Sequence, residues 1–291
     1  MTMKLAYPSN RPKLQPALRQ VLSARASMAC AEVAQHGSAA SLFMLRKRAK
    51  ECRGLLRLLR GGWDEAKDWN AQLRDAAARL APARDAEVML TTFDDLTARR
   101  RAPADFDSLR AAVLDEIELW NSASDPMALQ EFSGMMADFA DAAQSARLHG
   151  KTAPLVWGNL ARTWIKGQRA YCAASMAGED ATAFHTWRKR LKQHWYQARF
   201  FKPIDRPALR GHIAQVDRLA RTLGAHNDLD VLHIFLRATC TNDPALARLE
   251  PDLIAARARF ARQALHMGHA LYAQPNPTEG WAKAWQVWRK A

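Results

Sequence analysis

The stretch that decides the fold is Trp187-Arg188-Lys189-Arg190-Leu191-Lys192, because a close copy, Leu45-Arg46-Lys47-Arg48-Ala49-Lys50, stands 142 residues earlier. Two further matches lie at an offset of 143 residues, one between 80–88 and 223–231 and one between 17–19 and 160–162. Three matches in the same order at one spacing are typical of an internal repeat. We therefore predict one duplicated domain over 14–291, with half-repeats 14–150 and 151–291 and an N-terminal extension over 1–13.

The periodicity of the apolar residues predicts an all-α fold. Apolar residues recur every three or four positions in a background rich in Ala, Leu and Arg, whereas the alternation typical of strands is nearly absent. Pro, Gly and Asn punctuate this pattern, and His226 is assigned to a turn between two helices. The predicted helices cover 14–36, 39–60, 63–80, 85–100, 105–122, 126–148, 154–177, 181–201, 206–223, 227–239, 243–273 and 278–290.

One face of the helix predicted at 181–201 carries a concentration of positive charge. At 100° per residue, six polar and mostly cationic side chains share an arc of about 100°, and apolar side chains occupy the adjoining arc. The helix predicted at 39–60 repeats this arrangement, and its cationic face is nearly devoid of acids. Because cations at this spacing repel one another, we expect a bound anion to supply the countercharge, although a solvated basic face is the alternative. The predicted binding residues are Arg46, Lys47, Lys50, Arg53 and Arg57 in the first half and His185, Arg188, Lys189, Lys192, Tyr196 and Arg199 in the second. Arg19, Arg162, Lys166 and Arg169, which lie ahead of the two motifs, either line the same cleft or are plain surface residues.

The net charge points to an anionic partner. The chain has 43 Lys and Arg against 29 Asp and Glu, a formal net charge of +14, which suits a soluble polyanion, nucleic acid or an anionic membrane surface. Four widely spaced cysteines favour a reducing compartment. No signal peptide and no run of about 20 apolar residues is apparent. We expect a cytoplasmic protein that does not enter a membrane.

The second-half motifs resemble a known family. The stretch from His185 to Tyr196, followed by Leu223-Gly224-Ala225-His226-Asn227-Asp228-Leu229-Asp230, resembles the second half of a CHAD domain, the conserved-histidine α-helical domain. Leu45–Lys50 and the segment that begins Arg84-Asp85 resemble its first half. The resemblance implies two pseudo-symmetric four-helix bundles packed around a central basic channel. It also implies binding of inorganic polyphosphate, in some members at polyphosphate granules, and phosphate or sulfate ions are expected in the same site.

Two positions depart from the symmetry of the halves. Phe43 stands where the family's first motif has its histidine, and Gly54 stands opposite Tyr196. Neither an apolar ring nor a glycine side chain can donate a hydrogen bond to phosphate. We therefore expect the second half to be better equipped for binding.

Other patterns favour binding over catalysis. His266 and His269 lie three residues apart, but no acid or cysteine at a suitable spacing completes a metal site, so neither a metal nor a cofactor is expected. Asp85 and Asp228 are interpreted as helix-start residues or partners of a motif arginine. No glycine-rich phosphate loop or hydrolase motif occurs, and we expect the protein not to be an enzyme. A nucleic-acid-binding basic helical protein is the alternative, less favoured because no helix-turn-helix, RRM or zinc signature is present.

Overall fold

The computed structural model describes residues 5–35, 38–79, 81–98, 103–122, 126–178 and 180–291. These residues form eleven α-helices and three short 3-10 turns, without a strand among them, which confirms the predicted all-α class. Within the same residues, no helix combines the length and the hydropathy that crossing a membrane requires. The helices are α1 (Leu14–Gln35), α2 (Ser38–Leu56), α3 (Ala66–Arg79), α4 (Ala81–Thr97), α5 (Asp107–Ser122), α6 (Pro126–Ser145), α7 (Thr152–Met176), α8 (Ala181–Phe201), α9 (Arg206–Thr239), α10 (Pro244–Tyr272) and α11 (Thr278–Lys290).

Local sequence signals account for several helix ends. Asp180, Asp205 and Asp243 each precede a helix and accept a hydrogen bond from a backbone N–H of its first turn, at 2.8, 3.3 and 2.8 Å. Gly150 lies in the connection between α6 and α7 with a φ of 71°, in the left-handed region that glycine adopts without strain. The predicted joint of the two halves is therefore a connection between helices.

One predicted break is wrong, because α9 is continuous where the sequence predicts two helices separated at Gly224. A Cβ at Gly224 would lie 3.6 Å from Arg188 Nε, so the glycine faces the arginine of α8. His226, expected in a turn, is buried inside the helix and stacks on Phe184 at 4.6 Å between ring centroids. Asp228 is likewise an interior residue and not a helix start. Packing against α8 thus outweighs the roughly 1 kcal/mol that a glycine costs a helix.

The helices α1 to α10 associate in three groups, each of four helices or helix segments, because α9 and α10 each take part in two groups. One bundle consists of α1, α2, α3 and α6, and a second consists of α7, α8, the first part of α9 and the last part of α10. In a third group, α4 and α5 pack against the remaining parts of α9 and α10 around Leu109, Leu232 and Leu249. This third group joins helices from both predicted halves, so the halves do not have separate cores.

Two contacts link positions that are equivalent under the predicted duplication or lie one residue from such a pair, since the equivalent of Gly54 is Tyr196. The Gln197 side chain donates to the carbonyl of Gly54 at 3.1 Å, and the Arg248 guanidinium donates to the carbonyl of Asp105 at 3.1 Å. Both pairs are 143 residues apart. Equivalent positions meet in this way beside a twofold axis. The duplication itself stays a prediction from the sequence.

The predicted N-terminal extension packs onto the helices over its described part. Tyr7 is buried, and its backbone N–H donates to the carbonyl of Phe200 at 2.7 Å. Arg11 donates to the carbonyl of Trp288 at 3.0 Å and lies over its ring. Residues 5–13 therefore contribute to the same core as α8 and α11.

Candidate functional site

The two cationic helices, α2 and α8, cross in direct contact. A Cβ at Gly54 would lie only 2.7 Å from the Cβ of Tyr196, so glycine is what permits this approach. Tyr196 is buried there, and burial raises the pKa of its hydroxyl to about 12. Gly54 is thus a packing requirement of the crossing as well as a position that lacks a donor.

Lys50 on α2 and Lys192 on α8 show that the two cationic faces meet. Desolvation by the surrounding helices and the charges of Arg46 and Arg188 lower the pKa of Lys50 to about 8. Desolvation also lowers the pKa of Lys192 to about 8, with Arg188 and Lys50 adding to the shift and Asp217 opposing it. Each lysine therefore lies in the field of cations from the other helix. We call Arg46, Lys50, Arg188 and Lys192 the lysine cluster.

Arg188 is placed by packing beside α9. Its Nε is buried next to Gly224, and this atom has no hydrogen-bond partner within the described part of the chain. A buried donor without a partner costs about 1–3 kcal/mol. An anion that reaches this N–H recovers part of that cost.

His185 is held by a residue that the sequence did not single out. Its Nδ1 is bonded to the side-chain oxygen of Asn227 on α9, which fixes Nδ1 as the protonated nitrogen of the neutral ring. Burial lowers the pKa of His185, and Lys189 and Arg188 lower it further, while the bond to Asn227 and the charge of Asp230 oppose the shift. The ring is neutral at pH 7 and presents Nε2 as an acceptor. Donation to phosphate from Nε2 requires protonation.

A cavity of about 680 Å³ lies between α2, α3, α7 and α8. We call it the arginine cavity. None of the described residues that line it is acidic, and Asn70, Asn159, Thr163 and Gln193 add neutral polar groups. Its seven cationic lining residues are Arg57, Arg60, Lys67, Arg74, Arg162, Lys166 and Arg190.

The cations of the arginine cavity repel one another. Burial lowers the pKa of Arg57 to about 10, and the charges of Arg53, Arg190 and Arg60 contribute. The pKa of Lys166 is lowered by desolvation and by Arg190 and other arginines of the cavity. Such shifts mark sites at which the unliganded protein carries unfavourable electrostatic energy. A bound polyanion would instead raise these pKa values, because it favours the charged forms.

Arg53 connects the arginine cavity with the lysine cluster. Its charge helps to lower the pKa of both Lys50 on α2 and Arg57, which directly follows the end of α2. Its Nε also donates to the side-chain oxygen of Asn70 in the cavity wall, at 3.4 Å. Arg53 thus lies between the two regions.

The remaining predicted residues lie in varied surroundings. Lys189 and Arg169 are exposed on α8 and α7, and Lys47 lies 5.9 Å from the ring centre of Phe43. Arg162 and Lys166 line the arginine cavity, which favours the cleft over the plain-surface interpretation for these two. Arg19 instead donates to the carbonyl of Gln144 at the end of α6.

Two acids correct the prediction that the cationic faces lack a countercharge. Asp85 lies inside α4, and its carboxylate is 3.6 Å from Arg46, so it is an arginine partner and not a helix start. Glu51 on α2 is fully buried, and its carboxylate is 3.7 Å from Arg199. The sequence could not show this because Glu51 lies within a run of cations and its burial depends on other helices.

Several residues of the arginine cavity were missed by the helical-wheel argument. Arg190 lies about 140° from His185 around α8 and so falls outside the cationic arc. Lys67, Asn70 and Arg74 come from α3, where their spacing of three and four residues places them on one face. That spacing could have indicated a polar face on α3. Nothing in the sequence showed that α3 would stand opposite α7.

Comparisons with known proteins agree with this architecture. The family model described as "CHAD domain" matches residues 13–237. The crystal structure of the CHAD domain from the plant Ricinus communis has a TM-score of 0.53 and 18% identity, over 99% of this chain and 94% of that one. This structural likeness shows the fold. A search of curated proteins gave no match.

Proposed function

Because the chain belongs to the CHAD domain family, we propose that it binds inorganic polyphosphate in the lysine cluster and the adjoining arginine cavity. Polyphosphate is a flexible chain with closely spaced negative charges. A flexible chain could follow the cations from Lys50 past Arg53 to Arg57. The protein would act in the cytoplasm and would be concentrated wherever polyphosphate granules form.

The acid-free lining of the arginine cavity is the observation that carries the proposal. Seven cations surround about 680 Å³, and within the described residues only Arg74 among them is paired with an acid, the exposed Asp75. The pKa of Arg57 is lowered to about 10 by burial and by its neighbours. Arginine can bind phosphate oxygens through two N–H groups, and lysine adds a compact charge. A bound polyanion is therefore attracted to these charges and also relieves the repulsion among them.

We propose binding without turnover. The described residues that line the cavity supply cations, amides and one hydroxyl, which hold phosphate oxygens. Phosphoryl transfer usually also needs carboxylates that hold Mg²⁺ or a base that activates a nucleophile. The lining of the arginine cavity is thus suited to capture.

The size of the cavity also favours polyphosphate over duplex DNA. A space of about 680 Å³ between four helices admits phosphate groups of a thin chain but not a double helix. DNA would be limited to cations at the surface and would not reach the half-buried Arg57 and Arg190. In competition at equal phosphate concentration and physiological salt, we expect polyphosphate to displace DNA, and displacement in the other direction would contradict the proposal.

Fluorescence anisotropy with labelled long-chain polyphosphate tests the site. Arg57→Ala/Arg190→Ala should weaken binding by about tenfold or more, because each arginine loses charge-assisted hydrogen bonds to phosphate. The matched control is Lys283→Ala/Lys290→Ala, which removes the same net charge from exposed positions on α11. That helix packs through Trp285 on Trp157, which lies about 200° around α7 from Asn159 of the cavity wall.

The outcome depends on a difference between the two double variants. The control should change affinity by less than about threefold at physiological salt, since its charges are remote and screened. Wild-type affinity should also fall steeply with added salt, as expected when several cations release counterions. Equal losses in both variants would show that only the net charge matters and would overturn the proposed site.

A further inference from the structure

A single acid-to-amide difference distinguishes the two motif helices at the arginine cavity. Gln193 lines the cavity, and the residue 142 positions earlier, at the same place in the first motif, is Glu51. Two cavity arginines have counterparts at the same offset, since Arg57 corresponds to Arg199 and Arg190 to Arg48. The two places therefore share an arginine pair and differ in whether a carboxylate stands beside it.

The surroundings of Glu51 contain the counterparts of those cavity arginines. Glu51 is fully buried, and its Oε2 accepts from Arg48 Nη1 at 3.1 Å. Arg199 lies 3.7 Å from Oε1, and Arg25 of α1 donates from Nε to Oε2 at 2.8 Å. The carboxylate therefore interacts with both counterpart arginines and recruits a third.

The surroundings of Gln193 contain the same arginine pair without an acid. A neutral amide cannot neutralise Arg57 or Arg190, and the charges of both contribute to lowering the pKa of Lys166. The arginine cavity beside them has a volume of about 680 Å³, and Arg60 and Arg162 also line it. At the other place, Arg48 and Arg199 are instead closed in by Glu51 and Arg25, with Glu32 bonded to Arg48. One place is filled and the other is open.

Building on the proposed function, we propose that Glu51 is a built-in counterion that closes one of two equivalent arginine sites, and that Gln193 leaves the other as a single site for a compact run of phosphates. The ligand is a short linear phosphate anion, either free or as the end of a long polyphosphate chain. Each protein molecule binds one such anion in its arginine cavity. The lysine cluster contributes the additional contacts of longer chains.

Isothermal titration calorimetry with inorganic tripolyphosphate tests this inference. Wild-type protein should bind one tripolyphosphate per chain. Gln193→Glu introduces the carboxylate that Glu51 supplies in the other half, so it should weaken this binding by about tenfold or more, because the new charge repels phosphate and pairs with the arginines. Gln193→Leu is the control, since it removes the amide without adding charge, and it should lose less than about threefold.

Thermal unfolding separates this electrostatic role from simple damage to the fold. Without ligand, Gln193→Glu should unfold at a higher temperature than wild type, because its carboxylate relieves the repulsion among cations. Its additional stabilisation by tripolyphosphate should largely disappear. A variant that weakens binding because it is misfolded would instead unfold at a lower temperature, and that result would overturn the inference.

The two sources of the anion and the two proposals can be told apart. If the chain end enters the cavity, the shorter of two polyphosphate preparations should compete better with tripolyphosphate at equal phosphate concentration, because it has more ends. Equal competition would assign the cavity to free short polyphosphates.

Wild-type binding of long chains with unchanged tripolyphosphate affinity in Gln193→Glu would overturn this inference and leave the proposed function intact. Failure of wild type to bind long chains would overturn the proposed function itself.

Discussion

Replacing Lys50 and Lys192 with arginine should remove most of the pH dependence of polyphosphate binding above pH 7. Both lysines have a pKa of about 8 in the unliganded protein because they are desolvated among other cations. A bound polyanion favours the charged form and returns each pKa towards its ordinary value of about 10.4. Arginine stays protonated throughout this range and keeps the positive charge.

The magnitude follows from the fraction of each lysine that is protonated before binding. With a pKa of about 8, about nine tenths of the side chains carry a charge at pH 7 and about one tenth at pH 9. The affinity should therefore be full below pH 7 and fall by about tenfold through the half-buried Lys192 as the pH rises through 8 to 9, and by less through Lys50, which is exposed and screened by solvent. Because each charge lowers the pKa of the other, the joint loss should lie between about tenfold and a hundredfold, or about 1.4 to 2.7 kcal/mol. Lys192 should account for the larger share, since Lys50 is more exposed.

Anisotropy titrations with long-chain polyphosphate from pH 7 to pH 9 at constant ionic strength provide the assay. Long chains keep the titration of terminal phosphates negligible. In the unliganded protein His185 takes up its proton below this range, because burial and the neighbouring cations lower its pKa. Lys283→Arg/Lys290→Arg is the matched control and should retain the wild-type pH dependence. If wild type and Lys50→Arg/Lys192→Arg lost affinity in parallel, the two lysines would not be the titrating groups, and the reasoning would be refuted.

Two further predictions concern the stability of the fold. Gly54→Ala should lower the free energy of unfolding in urea by about 1–3 kcal/mol, because the new Cβ would lie 2.7 Å from Tyr196. The control is Gly134→Ala in α6, which has open space around the Cβ and should raise the free energy of unfolding by about 0.5–1 kcal/mol. Equal effects of the two substitutions would contradict the crossing geometry. His194 and His212 contact each other through their Nε2 atoms at 2.8 Å, and burial lowers the pKa of His212 to about 4. Since the folded state takes up these protons less readily than the unfolded chain, stability should be full above about pH 6.5 and fall between about pH 6.5 and 4, by at most about 3 kcal/mol for His212. His212→Gln should lose less stability than wild type in unfolding experiments at pH 7 and 5, and an equal loss would show that another group titrates.

Much of the fold could be predicted because the deciding information is local. The apolar period along 181–201 identifies α8, and it also sorts that helix into a packing side and a cationic side. The repeated motif at 45–50 predicts that α2 and α8 are related elements, and it pairs Lys50 with Lys192. Where a break was predicted at Gly224, the local rule failed because the glycine serves close packing with Arg188.

The site was predicted in part, because a helical wheel gives the direction of a side chain and not what stands opposite. Arg57, Arg162 and Lys166 were identified, but Arg190 lies outside the arc that the wheel selected and nevertheless lines the arginine cavity. The contribution of α3 through Lys67 also depends on which helices become neighbours. These neighbours are set by packing between segments that are distant in the chain.

The sequence by itself determined the helical class, the family resemblance and the two cationic helices, since each follows from residue types at fixed spacings. Only the tertiary structure decided how the charges of those helices are used. Glu51 and Gln193 occupy matching places in the two motifs, but the first is buried against Arg25 of α1 and the second borders an open cavity. A charge is neutralised or left available according to the groups that folding brings within a few ångströms of it, and that information is not local to either helix.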